Sequence, residues 1–137
     1  TELGDRRGQA LSLSGIANAY FELGDYARAD ENYTRALTLY EETGDKSGIA
    51  AMSHNLANSK RRTGDKLAAL AGYERSLALR RELGSGLQQS NTLAALCQLH
   101  LDEGRLEAAR KAGEEARAVA EPIRYALGEG AALHCLS

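Results

Sequence analysis

Leu13, Ile16, Ala17 and Tyr20 fall at intervals of three and four residues, the spacing of one face of an α-helix. After Gly24-Asp25 the apolar face restarts as Tyr26, Ala29, Tyr33, Ala36, Leu37 and Tyr40. Glycine suits the left-handed position that closes a helix, and aspartate suits the N-cap of the next. The pattern therefore predicts a helix, a tight turn and a second helix.

The same punctuation returns along the chain. Gly24-Asp25 recurs as Gly64-Asp65 and, with arginine in place of aspartate, as Gly104-Arg105, a step of 40 residues. Gly4-Asp5, Gly44-Asp45 and Gly84-Ser85 keep that step, as do Gly8, Gly48, Gln88 and Gly128. A fixed interval of this length marks stacked supersecondary units. The apolar faces between the markers predict helices over residues 7–23, 26–43, 47–63, 66–83, 87–103, 106–121 and 124–137. Leu3-Gly4-Asp5 reads as the tail and turn of a preceding helix, and Pro122 is expected to kink or break the sixth helix in its last turn.

Ile16-Ala17, Tyr20, Gly24-Asp25-Tyr26, Ala29, Tyr33 and Ala36-Leu37 together resemble the tetratricopeptide repeat. Leu56-Ala57, Gly64-Asp65, Ala69, Tyr73 and Leu77 carry the likeness through a second unit, and Leu96, Gly104, Ala109 and Ala116 through a third. HEAT and armadillo repeats are of similar length but lack the Gly-Asp-aromatic turn with paired alanines. The usual tetratricopeptide period is about 34 residues. The extra residues here fit a longer second helix, since Leu39, Leu79 and Val119 continue its apolar face. This longer unit is similar to repeats of kinesin light chain, Pins-type polarity adaptors and the sensor regions of large bacterial regulators.

The resemblance implies an all-α fold, a right-handed superhelix of antiparallel helix pairs. Three full repeats (7–43, 47–83 and 87–121) would be followed by a partial fourth over 124–137, forming one repeat domain across 1–137. Cys135-Leu136-Ser137 ends inside that fourth unit with no polar capping face in view, which suggests a fragment of a longer array. Apolar open ends are expected to self-associate.

In such an array the first helix of each unit lines a concave groove. The resemblance places Asn18, Asn58 and Gln98 there as a row of side-chain amides, with Asn55 and Asn91 beside them. A carboxamide donates and accepts, so the row suits the backbone of an extended peptide. Polar residues merely solvating an open face is the plainer alternative. Lys60, Arg61 and Arg62 form a dense basic cluster able to receive an acidic segment, or simply complement a helix C-terminus. His54, also on the groove side, would make partner affinity depend on pH. Chaperone-binding relatives grip a terminal carboxylate through a clamp of asparagines and cations. Asn18 and Asn55 match its asparagines, but Ser14, Asn91 and Ala95 stand where cations belong, which argues against that ligand.

A net charge of −2 gives no sequence-wide field to attract nucleic acid. No apolar run approaches the length of a bilayer span, and no signal peptide is evident. Two cysteines are too few for a secreted disulfide framework, so a cytoplasmic setting is expected. Cys97 and His100 share a helix face but occupy core positions, and structural zinc wants four ligands. No nucleophile stands with a base and an orienting group, and no glycine-rich segment follows a strand. The sequence therefore predicts no enzyme, no metal and no cofactor. It points to a scaffold that binds a protein or peptide partner, acidic in character, without nucleic acid or membrane. The alternative is a ligand-sensing or self-assembly region of a bacterial signalling or transcription regulator.

Overall fold

The computed structural model describes the backbone of residues 2–127 and the side chains of residues 4–120. Its helices are α1 (Glu2–Glu22), α2 (Tyr26–Thr43), α3 (Lys46–Thr63), α4 (Lys66–Leu83), α5 (Gly86–Asp102) and α6 (Leu106–Leu127). There is no strand among the described residues. The chain divides into two compact units, residues 1–76 and 77–137, with the division falling inside α4.

Each Gly-Asp pair serves two helices at once. Gly44 and Gly64 adopt φ of 71° and 91°, a left-handed conformation that costs a residue with a Cβ far more. That turn lets Asp45 and Asp65 donate their N–H groups back to the Tyr40 and Lys60 carbonyls, at 3.0 and 2.9 Å. The same aspartates then cap the next helix. Their carboxylates accept from the N–H of Gly48 at 3.0 Å and of Ala68 at 3.2 Å, as Asp25 does from Arg28 at 3.2 Å. Ser85 stands in the same place before α5 but makes no side-chain cap bond.

In the first unit α1 packs on α2 and α2 on α3. The alanines of the repeat pattern lie where the helices meet: Ala17, Ala29, Ala36 and Ala69 are fully buried. Larger side chains there would overpack, at a cost of about 1–3 kcal/mol each. The tightest approach is at Gly48. A Cβ on it would lie 2.3 Å from the Tyr40 ring, so the aromatic ring of α2 rests directly on the α3 backbone. In the second unit α5 packs on α6. Its core is more aliphatic, with Leu93, Leu96 and Leu99 of α5 buried alongside Ala109 and Ala116 of α6.

Two expectations need correction. The predicted turn at Gly4-Asp5 is absent, for α1 is helical from Glu2 onward. Arg6 and Arg7, just beyond it, reach Glu42 at 3.2 Å and Asp45 at 3.6 Å, which ties this extra turn to the end of α2 and the turn after it. Of the kink or break expected at Pro122, the break does not occur, because α6 continues through it to Leu127. A proline removes one bond of the helical ladder without having to end the helix. The seventh helix expected from residue 124 is thus not separate over residues 124–127, and its remainder lies outside the described residues.

Candidate partner-binding site

The amide row begins with two side chains already committed to the fold. The Tyr33 hydroxyl of α2 donates to Asn18 Oδ1 at 2.5 Å. One repeat on, the Tyr73 hydroxyl of α4 donates to Asn58 Oδ1. Each tyrosine ring is buried in the seam of its helix pair, with only its hydroxyl reaching the amide. Once Oδ1 is occupied, what each asparagine still offers is its Nδ2 group, a pair of donors. Burial, with Glu22 and Asp30 nearby, pushes the Tyr33 phenol up to about 12, so it remains a donor throughout the neutral range. The signal for these bonds was present in the sequence as one tyrosine fifteen residues after each asparagine (Asn18 to Tyr33, Asn58 to Tyr73), and it went unread.

The basic cluster occupies the last turn of α3. Its members are not equivalent. Lys60 is paired with Asp30 of α2 at 3.1 Å and is thereby drawn inward. The Arg62 guanidinium lies 5.8 Å from the centre of the Phe21 ring, a cation–π contact. Arg61 is half-buried and makes no ion pair among the described residues. His54 stacks edge-on against Tyr73, with ring centres 5.3 Å apart, and Asn55 beside it is half-buried. The first unit therefore brings Asn18, His54, Asn55, Asn58 and the three cations onto α1 and α3.

Asn91 and Gln98 belong to α5 in the second unit, where both are exposed. Gln98 bonds within its own helix, Nε2 to Asp102 Oδ1 at 3.1 Å. The position that carries Tyr33 and Tyr73 in the earlier repeats is Gly113 here, so no phenol holds this amide. Among the described residues no group of three or more His, Cys, Asp or Glu is placed to hold a metal ion. None of the described helices is long and apolar enough to cross a membrane.

With this geometry in place, comparison with known proteins is direct. Two tetratricopeptide repeat models match the chain, over residues 10–43 and 48–121. The chain belongs to the tetratricopeptide repeat family. The crystal structure of BtubC (BKLC) from P. vanneervenii superposes with a TM-score of 0.78 at 21% sequence identity, covering 84% of this chain and 48% of that one. That likeness is one of fold, and the chain spans about half the length of its structural relative. No curated protein matches it in sequence. Tetratricopeptide repeats in general mediate protein–protein interaction and generally lack catalytic activity of their own.

Proposed function

We propose that the chain is a protein-interaction module that holds an extended segment of a partner along α1 and α3. The observation that carries this reading is the pair of tyrosine-held asparagines, Asn18 and Asn58. Each has its oxygen engaged internally and its Nδ2 donors unengaged among the described residues. Donors fixed one repeat apart select acceptors, either the backbone carbonyls of an extended strand or a carboxylate. Arg61 and Arg62 at the end of α3 add preference for an acidic segment. A cytoplasmic partner fits this chemistry.

The test is selection of peptides from a random library on the immobilised chain, followed by titration of the selected peptides in solution. Replacing both Asn18 and Asn58 by alanine should weaken their binding at least about tenfold, as expected for loss of paired hydrogen bonds. The control is Tyr33→Phe with Tyr73→Phe, which removes the internal bonds but keeps the amides. It should bind more weakly than the native chain yet better than the alanine pair. If the alanine pair binds its peptides unchanged while circular dichroism stays native, the amides serve the fold alone.

A further inference from the structure

Four serines are buried among the described residues, and three of them donate to a main-chain carbonyl. Ser59 bonds to Tyr26 at 3.4 Å, Ser76 to Ala50 at 2.8 Å and Ser90 to Ala116 at 3.3 Å. Ser53 of α3 differs. It is 3% exposed, and its Oγ has no hydrogen-bond partner among the described residues. A buried hydroxyl that has left water without gaining a partner is unfavourable, so a position that keeps one calls for a reason.

The repeat step of 40 carries Ser53 onto Leu13 in one direction and Leu93 in the other. Leu93 is 2% exposed, so the third repeat fills this place with an aliphatic side chain. The second repeat has a cavity of ≈ 230 Å³ there, walled by Leu37 of α2, Ser53 and Leu56 of α3, and Ala68 and Ala71 of α4. All five residues belong to the first compact unit, with helices on three sides of the space. Lys60 and Arg75 also reach the cavity, but the first is paired with Asp30 at 3.1 Å and the second with Glu41 at 2.7 Å. What remains is an apolar space with one unpaired hydroxyl in its wall. Ala71, an exposed residue, marks the way in.

We propose that this cavity is a binding site for a small neutral aromatic molecule carrying one hydroxyl or carbonyl group. Its ring lies against Leu37, Leu56 and Ala68, and its polar group supplies the hydrogen-bond partner that Ser53 lacks. The size agrees. An aliphatic-walled cavity of about 150 Å³ takes benzene, so ≈ 230 Å³ admits a ring with one or two small substituents. A charged ligand is disfavoured, because both nearby cations already hold carboxylates and a charge inside would go without a counterion. Apart from Lys60 the site shares no residue with the peptide surface proposed above, and either can fail without the other.

The probes are para-cresol and toluene, which differ by one hydroxyl, titrated into the isotope-labelled chain and followed by amide NMR shifts. Both should bind saturably, with shifts centred on Ser53, Leu56 and Ala71, and para-cresol should bind about two- to tenfold more tightly. Ser53→Ala keeps the space and removes the hydroxyl, so para-cresol should fall to the affinity of toluene while toluene is unchanged. Ser53→Leu, the residue of the neighbouring repeats, should fill the cavity and abolish binding of both while circular dichroism stays native. Ala71→Phe closes the entrance from an exposed position and should give the same loss, which keeps the test decisive if Ser53→Leu disturbs the fold. Absence of a saturable shift, undiminished binding to Ala71→Phe, or equal weakening of both probes by Ser53→Ala overturns the proposal. So does benzoate binding more tightly than para-cresol, for then the site selects an anion.

Discussion

Tyr40 and Arg80 stand one repeat apart at the end of α2 and α4, and the two regions use them in opposite ways. Tyr40 lays an apolar ring on Gly48, where only the absence of a side chain gives it room. Arg80 is nearly as buried, at 7% against 6%, yet meets polar partners. It donates to the Thr92 hydroxyl at 2.5 Å and to the Gln88 carbonyl at 3.3 Å, and burial lowers its pKa. Gln88 replaces the glycine because the arginine uses that residue's backbone and does not need the space above it. The pairs Tyr–Gly and Arg–Gln/Thr are thus two solutions to one packing problem. The comparison teaches that residues at this seam work as matched sets, so a substitution is judged by its partner as well as by its own position.

The sharpest break of that comparison is leucine at the two matched positions. In Gly48→Leu the new side chain must enter the space of the Tyr40 ring, and the chain should lose about 2–3 kcal/mol through overpacking. Gln88→Leu retains the carbonyl that Arg80 uses and adds bulk at an exposed position, so its effect should stay within about 0.5 kcal/mol. Urea denaturation of both variants reads the difference. Equal losses would mean that the two seams are packed alike.

The second contrast concerns the hydroxyl–amide bonds of the first two repeats. Tyr33→Phe removes the bond to Asn18 and should cost about 0.5–1.5 kcal/mol at neutral pH. The pH dependence gives a sharper readout. Because the folded phenol is raised to about 12 from an ordinary value of 10, the folded state favours its protonated form. That contribution is complete below pH 10 and is lost as pH rises from there through 12. Thermal unfolding between pH 9 and 12 should therefore fall more steeply for the native chain than for Tyr33→Phe. Parallel curves would remove Tyr33 from the alkaline transition.

Most helix boundaries were legible because one dipeptide, glycine then aspartate, fixes both a helix end and the next start. The misreadings have the same origin. Gly4-Asp5 copies the dipeptide, but a glycine within a helix costs only about 1 kcal/mol relative to alanine and permits a turn without imposing one. Pairing of Arg6 and Arg7 with Glu42 and Asp45 favours the helix there. At Pro122 it is the break that does not occur, since a lost ladder bond weakens a helix without having to end it. For the site, residue types showed which side chains line α1 and α3, but hydrogen-bond direction does not appear in composition. That Asn18 and Asn58 accept internally, and that Lys60 turns toward Asp30, depends on distances between helices. Gly113 at the tyrosine position of the third repeat was the visible hint that its amide is held differently.

The smallest expected effect tests that difference directly. Asn58→Ala takes the acceptor from a tyrosine whose ring is fully buried and should cost about 1 kcal/mol. Gln98→Ala removes only a bond to Asp102 one helical turn away on an exposed face, of a kind that contributes about 0.2–0.5 kcal/mol. Alanine's higher helix propensity offsets part of that. The net change should lie within measurement error of zero by chemical denaturation. If Gln98→Ala instead destabilises the chain as much as Asn58→Ala, the third repeat fixes its amide by some means other than the missing phenol. If both are neutral, the tyrosine bonds of the first two repeats orient their asparagines without stabilising the fold, and a partner would still meet donors set in advance.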